Sequence, residues 1–175
     1  MAKHLFWMDL EMTGLNEKVH HLLEISVVIT DVYLNRLDDY HRIIYQPPHI
    51  LEEMDPWCKE NHKLSGLTAA VTNGIPLKQV ELELLAFTKK YYKNEDEKII
   101  LSGNSINSDK RFIEYHMPLF AKKLHYRVID VSSFKEIFKE RYGIKFVKNN
   151  THRATQDVLE SINELNYYLS FIKTQ

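Results

Sequence analysis

The sequence predicts an α/β protein, a mixed five-stranded sheet flanked by helices, built as one domain over residues 1–175. Two observations predict it. Three strand-like segments near the N-terminus follow one another through short polar turns, as in an antiparallel meander. The later half alternates short apolar runs with helical stripes, which lays helices on a sheet. A chain of 175 residues, 44% hydrophobic and 27% charged, has the size and composition to bury one such core.

The elements follow in order. Segment 4–12 carries apolar residues on both alternating faces, so it predicts a strand buried on both sides, at the centre of the sheet. Segment 22–33 is rich in β-branched residues and predicts a second strand. A turn over Asn35–Asp39 then places a third strand at 41–46. Asn73-Gly74 makes a turn, Pro76 suits a helix start, and Val80, Leu84, Phe87 and Tyr91 repeat at helical spacing. The charged stretch Lys93–Lys98 reads as a solvated loop before a short buried strand at Ile99–Leu101. A helix starts near Asp109, with Pro118 restarting or kinking it. Arg127–Val131 is the fifth strand, and Phe134–Tyr142 is a helix stopped by Gly143. Val158, Ile162, Leu165, Leu169 and Ile172 form the apolar stripe of a long last helix.

Charge and cysteine usage narrow the classes. The formal net charge is −1, so no basic stripe of the kind that tracks a long nucleic acid stands out. A nucleic-acid substrate would then be short and held by local contacts. The single cysteine, Cys58, excludes an internal disulfide framework and fits a reducing compartment. No apolar run reaches the roughly 18 residues of a membrane span. The N-terminal apolar stretch is broken by Asp9 and Glu11, unlike a signal peptide. The expected location is the cytoplasm.

Five residues carry the chemistry: Asp9-x-Glu11, Asp109, and His152 followed by Asp157. Asp9 and Glu11 are two apart, so on a strand they share a face. Two carboxylates side by side in a buried strand repel one another, and a divalent cation removes that penalty. Each residue also has a plainer reading. The strand pair can end at solvent, Asp109 can cap its helix, and Asp157 can answer the positive end of the last helix. His152 and Asp157 would diverge by about 140° within one helix, so they converge only if His152 precedes the helix. A His so placed can act as a general base.

The ordered set resembles the DEDDh exonucleases. Asp9-Leu-Glu-Met-Thr-Gly-Leu15, Gly103-Asn-Ser-Ile106, His125-Tyr-Arg127, Asp130-Val-Ser132, Thr151-His152, and Trp57 with His62 and Ser65-Gly-Leu67 are similar to the oligoribonuclease family across nearly the whole chain. The resemblance implies a ribonuclease H-like fold and a 3′-to-5′ exoribonuclease that hydrolyses short oligoribonucleotides, chiefly dinucleotides, to 5′-mononucleotides. It implies two divalent ions, Mg²⁺ or Mn²⁺, held by Asp9, Glu11, Asp109 and Asp157, with His152 as general base. Leu15 would wedge between the bases, and Trp57 and His62 would contact the 3′ nucleotide. Ser105, Arg127, Ser132 and Ser133 would hold the terminal 5′ phosphate, which measures length rather than sequence. The family acts as a homodimer, with Tyr126 of the partner subunit approaching that end.

The plainer readings of this second tier are a turn residue for Leu15, core or dimer contact for Trp57, and helix capping for Ser132 and Ser133. Asn107 and Ser108 stand where many relatives have glycine and glutamine, and Gln156 where many have a second acid. Two other functions are weighed: a DEDDh enzyme acting on long DNA or on tRNA, and an inactive nucleic-acid-binding module. The neutral charge speaks against the first and the intact pentad against the second.

Overall fold

A computed structural model of the protein describes residues 4–94, 96–147 and 153–172. The N-terminal meander is β1 (Leu5–Met12), β2 (Leu22–Thr30) and β3 (Arg36–Ile43). Three short helices follow, α1 (Pro48–Glu52), α2 (Pro56–Leu64) and α3 (Leu67–Val71), and then α4 (Leu77–Thr88). Next come β4 (Ile99–Gly103), α5 (Asn107–His116), α6 (Pro118–Ala121), β5 (Leu124–Asp130), α7 (Val131–Tyr142) and α8 (Ala154–Leu169). The sheet order is β3-β2-β1-β4-β5. β1 pairs antiparallel with β2 and parallel with β4, so the sheet is mixed and β1 is central, as its two-faced apolar pattern requires.

The alternation along β1 divides the protein into two layers. Phe6, Met8 and Leu10 face α4, α5 and α6, with Val80, Leu84, Phe112 and Phe120. Trp7 faces α7 and α8, with Val131, Phe138, Val158, Ile162 and Leu165. Asp9 and Glu11 share the parity of Trp7, so they lie on the α8 side of the sheet. A third small core joins Leu23 to Leu51, Met54, Leu67 and Val71 under α1 to α3.

β2 ends at Thr30 rather than 33 and α8 at Leu169 short of Ile172, and three larger differences have identifiable causes. The third strand is Arg36–Ile43, not 41–46, because the turn falls earlier: Asp31 Oδ1 accepts the Tyr33 and Asn35 amides, and Leu34 takes a left-handed φ of 70°. The fifth strand starts at Leu124 and ends at Asp130, whose side chain accepts from the Ser132 amide and starts α7 three residues earlier than Phe134. The stretch 48–71 is helical in three short pieces that the apolar periodicity does not show. Gly143 stops α7 in the left-handed conformation, as expected. No described helix is long and apolar enough to cross a membrane.

Candidate active site

Distant segments meet at one end of β1. Asp9 and Glu11 project from the strand, and Asp157 projects from the first turn of α8. One carboxylate oxygen from each lies within 4.8 Å of the others. Asp109 is the third residue of α5 rather than its cap, and it is buried. β1 pairs with β4 at Phe6 and Trp7, and further along β1 the Leu10 amide donates to Asp109 Oδ1 at 2.9 Å. That bond fixes Asp109 against the strand that carries the other two acids. Gly103 makes this close approach possible, since a Cβ there would stand 2.7 Å from the Met8 carbonyl.

The electrostatics are those of a cation site. Burial pushes the Glu11 carboxyl up to about 8, and the charges of Asp157, Glu24 and Asp109 add to the rise. Burial also raises Asp109 above the usual carboxylate range, with Asp130 adding to it. Carboxylates crowded this closely resist ionising together, and a hard divalent cation, whose preferred ligands are ionised carboxylates, removes that cost. Asp9, Glu11 and Asp157 therefore fit such an ion, with Asp109 buried against Leu10 of the same strand.

Glu24 shows the opposite behaviour one strand away. It is paired in register with Glu11 and is fully buried. Burial alone would raise it, but hydrogen bonds from His41, Arg153 and the Ala154 amide bring it down to about 2. Arg153 donates Nη2 to Glu24 Oε1 at 2.7 Å and Nε to both oxygens at 3.1 Å. The start of α8, and with it Asp157, is thus pinned to β2. The sequence reading missed Glu24, although a lone acid inside the apolar run Leu22–Ile29 was its signal. His41, on the neighbouring β3, completes the cluster, with its Nε2 2.7 Å from Glu24 Oε1.

The expected base-side contacts are partly assembled. Leu15 is 76% exposed and Trp57 is 58% exposed. With Asp55 and Cys58 they line a cavity of about 320 Å³. His62, on the same helix as Trp57, is buried instead. Its Nε2 lies 2.8 Å from the Met12 carbonyl and its Nδ1 3.9 Å from Glu11 Oε2, so its ring is anchored on β1 beside the acid rather than open at the cavity.

At the other end, Ser105 and Ser132 meet, Oγ to Oγ at 3.0 Å, and Ser132 Oγ accepts the Ser105 amide at 2.8 Å. Asp130 Oδ1 accepts the amides of both serines. The motif Asp130-Val-Ser132 assigns Asp130 no role, and its N-cap position before Val131-Ser132 was the available signal. Arg127 shares a face of β5 with Ile129, which packs in the α7–α8 layer, and its guanidinium lies 5.3 Å over the Tyr126 ring. Tyr126 and Ser133 are exposed. His152 lies outside the described residues, immediately before Arg153.

With this geometry in place, likeness to known proteins can be set beside it. The exonuclease family profile of the RNase T type matches residues 6–165. A mitochondrial oligoribonuclease of Mus musculus is 43% identical over 174 residues, covering 96% of this chain and 73% of that protein. The chain belongs to the oligoribonuclease family. An oligoribonuclease of Tropheryma whipplei is 42% identical over 170 residues, covering 94% of this chain and 91% of that protein. The family is one of hydrolytic nucleases, which agrees with an acidic cluster suited to metal.

Solved structures carry the fold further afield. Exonuclease I from Methylocaldum szegediense superposes with a TM-score of 0.73 at 12% identity. Escherichia coli exonuclease I in complex with a dT13 oligonucleotide gives 0.70 at 12% identity. The chain spans about 40% of the length of either. These matches place the five-stranded sheet in the exonuclease, ribonuclease H-like fold.

Proposed function

We propose that the protein is a 3′-to-5′ exoribonuclease that hydrolyses short oligoribonucleotides, chiefly dinucleotides, to 5′-mononucleotides in the last step of RNA degradation. The observation that carries this reading is the convergence of Asp9, Glu11 and Asp157 within 4.8 Å, in a chain of the oligoribonuclease family. Asp9, Glu11, Asp157 and Asp109 would hold two divalent ions, Mg²⁺ or Mn²⁺. Such ions, when bound, supply the positive charge that activates water and stabilises the phosphodiester's entering and leaving oxygens.

The chain's own residues do the rest. His152 takes the proton of the attacking water. Trp57 offers an aromatic face to a base, and Leu15, across the same cavity, enters between the two bases. His62, from the same helix, borders the 3′ nucleotide beside Glu11. Arg127, Ser105, Ser132 and Ser133 receive a terminal 5′ phosphate, whose extra charge over an internal diester favours them. That end is what excludes long chains and makes a basic groove unnecessary. Two copies associate, and Tyr126 of the partner subunit closes the phosphate end.

A length series of 5′-phosphorylated oligoribonucleotides, with Mg²⁺, Mn²⁺ or EDTA, tests the reading. We expect kcat/KM to peak at the dinucleotide and hydrolysis to stop in EDTA. Equal rates at all lengths would remove the length claim, and cleavage in EDTA would remove the metal. Faster cleavage of a long DNA 3′ end would move the protein to another branch of the fold. Sedimentation of the purified protein tests the dimer.

A further inference from the structure

Behind the Ser105–Ser132 pair runs a polar chain, half-buried at Asn104 and Ser132 and fully buried at Glu164, that the hydrolytic site does not use. Asn104 ends the segment after β4, and its Nδ2 donates to Glu164 Oε2 at 2.7 Å and to Ser161 Oγ at 3.3 Å. Its Oδ1 accepts from Ser132 Oγ at 3.2 Å. Glu164 is 1% exposed, and its other oxygen accepts from Tyr168 OH at 3.0 Å. Ser161 Oγ spends its own proton on the Asp157 carbonyl at 2.9 Å.

Every polarity in this chain follows from its ends. A carboxylate only accepts, and Ser161 has no proton left, so both neighbours of one end of the Asn104 amide are acceptors. The amide must therefore turn Nδ2 toward α8 and Oδ1 toward Ser132. An amide oxygen only accepts, so the single hydroxyl proton of Ser132 points at Asn104. Ser132 Oγ then faces Ser105 with lone pairs, as the 2.8 Å contact from the Ser105 amide requires. That contact helps hold Ser105 at φ 49°, a left-handed conformation that a serine rarely keeps without support. Ser105 is therefore the donor of the 3.0 Å Oγ–Oγ bond, and its hydroxyl, on an exposed residue, is the one that can turn from Ser132 to donate to a ligand.

We infer that Glu164 and Asn104 are positioning residues for recognition of a 5′-terminal phosphate monoester: through Ser132 they set which hydroxyl donates to it. This rests on the reading of Ser105 and Ser132 as the phosphate end. Because the same amide also touches Ser161, one turn beyond Asp157, the phosphate end and the cation end are tied to a single stretch of α8. An amide in place of the acid would present a donor as readily as an acceptor. Asn104 could then invert and send the Ser132 proton back toward Ser105.

The test is the ratio of kcat/KM for a 5′-phosphorylated dinucleotide to that for its 5′-hydroxyl counterpart, with metal present. In Glu164→Gln we expect this ratio to fall about tenfold, through KM of the phosphorylated substrate, the scale of one charge-assisted hydrogen bond. Turnover of the 5′-hydroxyl substrate stays near the starting level. Tyr168→Phe removes the donor to the far oxygen, so it reports on packing and leaves the ratio unchanged. Both rates falling together in Glu164→Gln would show a merely structural acid and overturn the inference. Absence of any 5′-phosphate preference in the unaltered protein would instead remove the phosphate end itself. A second readout stands apart from substrate: the Asn104 side-chain amide protons should exchange with solvent about tenfold or more slowly relative to exposed amides, and lose that protection in Glu164→Gln. Fast exchange in the unaltered protein would also overturn the inference.

Discussion

Replacing Glu11 by glutamine should make the metal-free protein more stable at pH 8 while disabling it. The rise of the Glu11 carboxyl from 4.5 to about 8 corresponds to roughly 5 kcal/mol of differential interaction. The side chain is 13% exposed, so solvent screens part of this, and about 2–3 kcal/mol is the working expectation. The sign follows from proton counting. Between pH 4.5 and 8 the folded, metal-free chain keeps a proton that the unfolded chain releases. Its stability therefore falls as pH climbs through that window. Glutamine has no proton to lose, and its amide can donate toward His62 Nδ1, 3.9 Å from the present carboxylate. In EDTA at pH 8, Glu11→Gln should melt about 4–12 °C above the unaltered protein, at ~2–4 °C per kcal/mol for a chain of this size. At pH 5 the two should converge. Mg²⁺ should raise the melting temperature of the unaltered protein and barely move that of the variant, whose turnover drops by ~10²-fold or more. A variant that melts level with or below the unaltered protein in EDTA at pH 8 would refute the claim that these acids destabilise one another.

Other outcomes follow from the same geometry. Glu24 is held down at about 2, so its contribution is present above pH 4.5 and is lost as pH falls through 2; Arg153→Gln should remove about 1–3 kcal/mol of it at neutral pH, seen as a lower urea midpoint that narrows in acid. Asp109→Asn keeps an oxygen for the Leu10 amide, so the protein should fold with near-normal circular dichroism while kcat falls by ~10²-fold or more. Trp57→Ala should raise KM for dinucleotides by about 10–100-fold with a melting temperature within a few degrees, because the ring is exposed; unchanged KM would reassign Trp57 to an interface. His152→Ala should fold and bind Mn²⁺ by titration calorimetry, yet lose most turnover. A collapse of its melting temperature would contradict its role as a base.

Much of this was legible in the chain because the signals were local or periodic. The two-faced apolar run of β1 announces a central strand, and parity alone puts Asp9 and Glu11 on one face. Val158, Ile162 and Leu165 of the α8 stripe pack as expected, while Leu169 and Ile172, at and beyond the helix end, are exposed, and the Gly143 stop is a single-residue signal. What escaped has a common cause. Helices α1 to α3 are each a turn or two long and bury one or two residues, too few for a period to emerge. The third strand was misplaced because Asp31 rather than Asn35 organises the turn, through side-chain bonds that composition does not reveal. Glu24, Asn104 and Glu164 act through partners 129, 28 and 60 positions away in sequence, and pairing at such range is set only by the assembled fold. His62 was placed against a base from resemblance, while it is buried with Nε2 on the Met12 carbonyl, a contact that a lone histidine in sequence does not disclose.

The small core beneath α1 to α3 has an evolutionary meaning. Its buried residues are separate from the layer that seats α8, and it meets the acid-bearing segments at defined points: His62 beside Met12 and Glu11, the Asp55 amide on the Thr13 carbonyl, and Arg153 on the Ser65 carbonyl. With those points kept, the rest of the module can be resurfaced or lengthened without disturbing the carboxylates. Relatives built on the same sheet could thus diverge in what they admit at the base-facing mouth while hydrolysing it with unaltered machinery.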